Sequence, residues 1–315
     1  MLKINSFMGI LRRILFSLLI LSFIACEEEP EPGETMYDSI AALANTSSFI
    51  AAIDRLEFDD DFRSGQAITV FVPTNSAFDN FLSQNNFASL NDVPLEDLRN
   101  LIRYHILPVS VQLPALGNGY YLTASGSGPG NDLLAILVEN PGTKARLNKN
   151  VQVVNQDLSA RGGFFNTIDQ VLELPTILSV LRQNDAFEEF SDGMFRAEGL
   201  ADSLLNNGPY SLLLTANTNV EDALDERFGV TDILDLPDLT LDSLMRYHIV
   251  KGNQRSDDML TASDFSYETL LEGVEVEIQG VDIIKVDGEA DLILTDIQTT
   301  NGVVHICNAL LDFRR

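Results

Sequence analysis

A chain of 315 residues with 45% hydrophobic content is long enough for two domains that each bury a core, which excludes a disordered polymer. Its formal charge of −27 excludes nucleic acid as a natural partner, because a polyphosphate would be repelled. Such acidity suits a solvated surface first, and a basic partner or divalent cations second.

The N-terminus reads as a targeting segment. "MLKINSFMGILRR" carries Lys3, Arg12 and Arg13 and no acid, "ILFSLLILSFIA" is apolar, and Cys26 follows directly. That order is a secretory signal, and the apolar run is too short to span a bilayer comfortably. Ala25-Cys26 resembles the lipobox of bacterial lipoproteins, where the cysteine is lipidated and becomes the new N-terminus. Phe23 departs from the Leu-rich pattern, so the match is with the relaxed lipoboxes of Bacteroidetes-type surface lipoproteins. The competing reading is an ordinary signal peptide with a chance cysteine. We therefore expect a lipoprotein signal peptide over 1–25, lipidation at Cys26, and an acidic tether over 26–36. Pro, Gly and repelling Glu side chains in "CEEEPEPGE" disfavour packing. An acidic run after a lipidated cysteine resembles a surface-export signal, with a plain linker as the alternative. The implied location is the outer membrane, facing outward, with membrane contact through the lipid anchor only.

Beyond the tether the chain repeats itself. Arg103-Tyr104-His105 returns 143 residues later as Arg246-Tyr247-His248, although the chain has only three histidines. "ITVFVPTNSAF" (68–78) aligns with "YSLLLTANTNV" (210–220), and "DLSARGGFFNTIDQVL" (157–172) with "DIQTTNGVVHICNALL" (296–311). Near the starts, "LANTSSF" (43–49) aligns with "LRQNDAF" (181–187). Collinear matches at near-constant offset indicate a duplicated domain rather than a solenoid. The copies are assigned to 37–174 and 175–315, with Pro175 breaking the pattern between them. So short a linker predicts that the two units restrict each other's orientation.

In chain order, each copy opens on an amphipathic helix, "DSIAALANTSSFIAAIDRL" in the first. A β-segment, "AITVFVP", follows and turns at Pro73-Thr74-Asn75 into a second helix, where Thr and Asn can accept from free N–H groups. Then come the Arg-Tyr-His helix, a glycine-rich stretch, and several strands. "VEVEIQG", "VDIIKVDG" and "ADLILTDI" alternate and are separated by glycine turns, one of them a hairpin turn at Asp287-Gly288. Helices early and strands late give an α+β domain.

"FVPTNSAF", "YHIL" and "TTNGVVHICNALL" together resemble the fasciclin (FAS1) domain, in two tandem copies that cover nearly all of the mature chain. Copy one has the better opening but carries Asn166 where the closing motif has histidine. Copy two keeps that ending yet has Thr215 and Asn219 in place of Pro73 and Ala77. The resemblance implies a compact β-wedge or sandwich flanked by helices, used for adhesion in cell-surface and matrix proteins. In animal fasciclin-type matrix proteins the Tyr-His segment and a later Asp-Ile have been implicated in integrin contact. The matching positions are Tyr104, His105, Tyr247, His248, Asp296 and Ile297, with Asp157-Leu158 a partial match. They mark a candidate partner surface.

Helical spacing gives these histidines a second role. His105 follows Leu98, Leu101 and Ile102 at seven, four and three residues, so it points into the apolar stripe; His248 repeats the arrangement with Leu241, Leu244 and Met245. A buried neutral imidazole needs partners for both nitrogens, so each is expected to brace its helix across the core. Tyr104 and Tyr247 fall at boundary positions, with the hydroxyl free to reach a partner or water. His305 either faces away from Val304 and Ile306 or is buried between sheet and helix. Cys307, the one cysteine besides Cys26, lies in an apolar setting as a small hydrophobe.

The sequence carries no recognisable catalytic motif. No G-x-S-x-G elbow occurs, "ASGSGPG" (124–130) lacks the lysine of a phosphate loop and reads as a mobile surface loop, and the acids of "FDDDF" and "VDGEAD" lack EF-hand spacing. No catalytic residue, metal site or cofactor is assigned, with Ca²⁺ at either acidic run left as the alternative. The favoured function is a non-catalytic, lipid-anchored surface module that binds an extracellular protein or polysaccharide. The alternative is a glycan-binding component of an outer-membrane nutrient-uptake system, disfavoured by the absence of Trp, since glycan sites usually expose aromatic platforms.

Overall fold

The computed structural model describes residues 33–140, 144–260, 265–280 and 283–314. The signal peptide, Cys26 and the tether up to residue 32 lie outside the described residues. The tether's last residues already belong to the fold. Thr35 bridges Arg161, the Glu34 carbonyl accepts from the Arg161 N–H at 2.9 Å, and Met36 is buried.

The first copy contains α1 (Met36–Ala41), α2 (Ser47–Arg55), α3 (Asp59–Arg63), β1 (Ile68–Pro73), α4 (Asn75–Gln84), α5 (Leu95–Tyr104), β2 (Ile106–Leu107), β3 (Gly119–Leu122), β4 (Ala135–Glu139), β5 (Arg146–Leu147), β6 (Val151–Ala160) and β7 (Gly163–Ile168). The second contains α6 (Ile177–Arg182), α7 (Glu188–Arg196), α8 (Leu200–Asn206), β8 (Tyr210–Thr215), α9 (Asn217–Phe228), α10 (Asp238–Tyr247), β9 (Ile249–Lys251), α11 (Ser256–Leu260), β10 (Phe265–Glu268), β11 (Glu275–Gly280), β12 (Ile284–Val286), β13 (Ala290–Thr299) and β14 (Gly302–Cys307). Each copy is therefore α+β.

The expected opening helix is broken in two. Thr46 is buried and donates its hydroxyl to the carbonyls of Ile40 (2.7 Å) and Leu43 (3.0 Å), so a local side-chain bond replaces the helical ladder between α1 and α2. In the turn after β1 Thr74 accepts from the Ala77 N–H at 3.3 Å and caps α4 as expected, whereas Asn75 accepts from the Ser48 N–H of α2 and not from the new helix. Copy two has Ala216 there and lacks that cap, but α9 ends on Gly229 at φ 69°, a left-handed terminus that glycine adopts without steric cost.

The two seven-stranded sheets have the same order. The first runs β2-β1-β7-β6-β5-β4-β3 and the second β9-β8-β14-β13-β12-β11-β10. Only β1/β7 and β8/β14 pair in parallel; the other pairs are antiparallel. Each sheet curls until its outer strands meet. The Ala124 N–H reaches the Ile106 carbonyl at 2.9 Å, and the Leu270 N–H reaches that of Ile249 at 2.8 Å beside a Val250–Thr269 bridge. These contacts leave less exposed edge to template aggregation.

Curling also explains the apolar run in β1. Val70 and Val72 face the helices, while Phe71 faces the interior of the rolled sheet with Tyr104, Val153 and Ile168. In β8, Leu212 and Leu214 face the helices and Leu213 the interior. Both faces are buried, so both must be apolar, at about 1.5–3 kcal/mol per large side chain. The parallel pairing also needs glycine at one position per copy. A Cβ on Gly163 would collide with the Ile68 carbonyl oxygen, and one on Gly302 with that of Tyr210.

Candidate functional site

The six positions proposed for partner contact are mostly interior. Tyr104, His105 and His248 are fully buried, Tyr247 and Ile297 nearly so, and Asp296 is half-buried. Their contacts show what they do instead. His105 and His248 each occupy the C-cap of the Tyr-His helix, where the last carbonyls lack helical partners. The Nε2 of His105 accepts from the Leu172 N–H at 3.0 Å, so the ring proton sits on Nδ1 and is donated to the Leu101 carbonyl at 2.8 Å. His248 repeats this with Leu311 (3.1 Å) and Leu244 (2.8 Å). The histidine carbonyls accept from the middle of β1 and β8, at Phe71 (2.8 Å) and Leu213 (2.9 Å). One residue thus ties helix, central strand and closing segment together.

Burial pulls the pKa of His105 and His248 down to about 4, although the carbonyl bond to each ring works the other way. Both are neutral at physiological pH. Phe49 lies 6.3 Å from His105 and Phe190 lies 5.1 Å from His248, edge-on in the latter case. Phe190, not Phe187, is therefore the counterpart of Phe49. Asn75 and Asn217 confirm that register, accepting from the N–H groups of Ser48 (2.9 Å) and Glu189 (3.1 Å). The sequence alignment of the domain starts slips by three residues, close to one helical turn, which preserves the apolar face and so hides the error.

The tyrosines are not boundary residues. The Tyr104 hydroxyl donates to the Ala135 carbonyl (3.0 Å) and accepts from Asn148 Nδ2 (3.2 Å), while that of Tyr247 donates to Asp287 Oδ2 (2.6 Å). Asn148 and Asp287 stand at matching turns with φ 46° and 52°, and each side chain accepts a backbone N–H, from Leu137 (3.0 Å) and Glu277 (2.9 Å). The tyrosine therefore anchors the turn after β5 or β12. Asp287 of the "VDGEAD" run is committed to these bonds.

The Asp-Ile pair has the same scaffolding character. Asp157 and Asp296 lie at irregularities in β6 and β13, at φ 57° and 62°. Asp157 accepts from the Leu113 N–H (2.8 Å) and Asp296 from that of Ser256 (2.9 Å), pinning the segment that follows the Tyr-His helix. The Asp157 N–H donates to Asn166 Oδ1 (2.8 Å), the Asp296 N–H to His305 Nδ1 (3.3 Å). Asn166 thus supplies the acceptor that histidine supplies in copy two. His305 is buried, carries its proton on Nε2 and donates it to the Gln254 carbonyl at 2.9 Å; burial lowers its pKa. Asn166 Nδ2 is left buried without a partner. Burial of Cys307 pushes its thiol pKa up, in keeping with an inert core residue.

Sequence reasoning missed how the copies join. The "ASGSGPG" loop is a packed joint, not a mobile surface loop: Ser125 is buried, and a Cβ on Gly128 would come within 2.9 Å of Gln298. Just beyond it, Asp132 accepts from Arg255 (2.7 Å) and Asn253 (3.1 Å) of the second copy. Lys149 pairs with Asp185, and Ala135 packs into the second copy's core. Between the copies runs a cleft of about 840 Å³, walled by α4, the closing segment 169–174, and α6 to α8. Among the described residues no group of three or more His, Cys, Asp or Glu could hold a metal, and no helix is long and apolar enough to cross a membrane.

The histidine braces repeat in both copies, and the Fasciclin domain model matches the chain twice, over residues 44–175 and 185–312. The chain belongs to the fasciclin domain family. Among curated relatives, transforming growth factor-beta-induced protein ig-h3 of Sus scrofa is 25% identical over 314 residues, covering 95% of this chain and 44% of that protein. Human periostin is 26% identical over 82% of this chain and 30% of its own length. The cyanobacterial protein sll1483 of Synechocystis is 22% identical over 49% of this chain and 81% of its own. The chain thus spans less than half the length of the ig-h3 protein it matches. A solved FAS1 domain pair from the insect cell adhesion molecule Fasciclin I aligns with a TM-score of 0.49 and 16% identity, covering 88% of this chain and 95% of that one.

Proposed function

We propose that this fasciclin pair is a non-catalytic adhesion module, held at the cell surface by a lipid on Cys26 and binding an extracellular protein or polysaccharide. The observation that carries this reading is the double family match, one fasciclin domain after another across the described chain. The brace geometry supports it: the ring nitrogens of all three histidines are hydrogen-bonded to backbone groups, leaving no free imidazole to serve as a base. Partner contact then falls to surfaces that the braces shape, not to the brace residues themselves. Asp296, half-buried and tied to Ser256, holds the start of α11 in place.

The test is protease shaving of intact cells that express the protein, beside a Cys26→Ala variant. Rapid loss of the wild type, and its shift from membrane to soluble fraction in the variant, is the expected result. Protection of the wild type, or unchanged partitioning of the variant, would contradict the anchor and the display. Cell attachment to surfaces coated with the wild-type protein tests adhesion itself.

A further inference from the structure

We propose that the cleft between the two domains is a binding site for a neutral oligosaccharide, which deepens the adhesion reading by giving the module a ligand class. The cleft exists only because the domains are docked, since α4 of the first faces α6, α7 and α8 of the second across it. Its volume of about 840 Å³ falls in the range of small-ligand sites.

The chemistry of the walls selects the ligand. Asn80 and Gln84 on α4 and Gln183 just past α6 carry carboxamides with no hydrogen bond inside the described protein. Arg182 forms no ion pair among the described residues, although the chain is strongly acidic; its guanidinium lies 3.8 Å over the Phe195 ring, with its in-plane N–H groups left to donate. Asp202, also without an intramolecular side-chain bond, adds a carboxylate acceptor. Asn80, Gln84, Arg182 and Asp202 are exposed and hydrated in the free protein, and vicinal hydroxyls can replace that water because each hydroxyl donates and accepts. The chain's negative charge disfavours an anionic ligand, and Arg182 disfavours a cationic one. A peptide strand would seek an open sheet edge, and no edge strand lines the cleft.

The experiment titrates the purified full-length chain in detergent with neutral hexasaccharides of β-1,4-glucan, β-1,3-glucan, β-1,4-xylan and β-1,4-mannan. Pentalysine and pentaaspartate are run beside them. Binding is read by calorimetry and ligand-observed NMR on the wild type, the Gln84→Ala/Gln183→Ala double variant, Arg182→Gln, and Leu239→Ser as an exposed control outside the cleft. The double variant removes no hydrogen bond among the described residues, so its thermal midpoint should match the wild type, whereas Arg182→Gln also gives up the stacking on Phe195 and its midpoint should fall slightly. At least one hexasaccharide should bind with a Kd of about 1 mM or tighter, weakened about tenfold by the double variant and unchanged by the control. Absence of such binding, binding insensitive to the cleft variants, or binding of a charged peptide in its place would overturn the proposal. If the wild type mediates cell attachment while no hexasaccharide binds, the cleft proposal falls and the adhesion reading stands. If hexasaccharides bind but attachment is absent, the reverse holds.

Discussion

Replacing His105 by leucine separates the two energetic roles of the brace. The leucine fills much of the same volume but leaves the Leu172 N–H and the Leu101 carbonyl buried without their ring partners. At about 1–3 kcal/mol per unsatisfied group, partly offset by the apolar replacement, the variant should lose about 3 kcal/mol at pH 7.5. Acid changes the comparison. The folded ring titrates at about 4 and an unfolded histidine near 6.5, so below pH 6.5 the unfolded chain binds a proton that the folded chain refuses. The histidine's contribution is thus complete above pH 6.5 and is lost as pH falls toward 4, by about 2.5 kcal/mol at pH 4.5. The variant has no such proton to take up at this site. Its deficit should shrink from about 3 kcal/mol at pH 7.5 to about 0.5 kcal/mol at pH 4.5. Urea unfolding followed by far-UV circular dichroism at pH 7.5, 5.5 and 4.5 measures this. A deficit that stays constant across that range would refute the buried, neutral assignment.

Other substitutions probe the remaining contacts. Gly163→Ala or Gly302→Ala forces a methyl onto a carbonyl oxygen of the neighbouring strand, so either should cost at least about 4 kcal/mol and be seen as a large fall in thermal midpoint. Tyr247→Phe leaves Asp287 without its hydroxyl donor and should cost about 1–3 kcal/mol in urea unfolding. Asp132→Ala breaks a partly exposed pair, so stability should change by no more than about 1 kcal/mol. That same change loosens the joint, and small-angle scattering should show a wider distribution of interdomain distances; an unaltered profile would mean that Asp132 does not hold the domains.

Duplication and element order could be read from the sequence because they rest on local pattern. The alternating strands at 275–299, the capped turn at Thr74 and the helical spacing of Leu98, Leu101, Ile102 and His105 each reflect a periodicity of the backbone itself. The histidines were read as internal braces because a polar ring on an apolar stripe must find partners. What stayed hidden was long-range. The partners of His105 and Tyr104, at Leu172 and at Ala135 and Asn148, lie tens of residues away and are set by sheet closure, not by local spacing. For that reason local spacing places Tyr104 at a boundary, and the family resemblance places the Tyr-His and Asp-Ile positions on a contact surface. Glycine-rich composition suggested mobility at 124–130, whereas Gly128 is small because Gln298 approaches it closely. The cleft had no sequence signal, since it is made by docking two separate domains.

The central claim is that the histidines are buried, neutral braces with defined tautomers. Long-range proton–nitrogen NMR on uniformly labelled protein, titrated from pH 8 to pH 4.5, reads all three rings at once. His105 and His248 should appear as Nδ1–H tautomers and His305 as Nε2–H, and none should titrate near 6.5 while the protein remains folded. Rings that protonate with midpoints near 6.5 in the folded chain, or that exchange between tautomers, would contradict it.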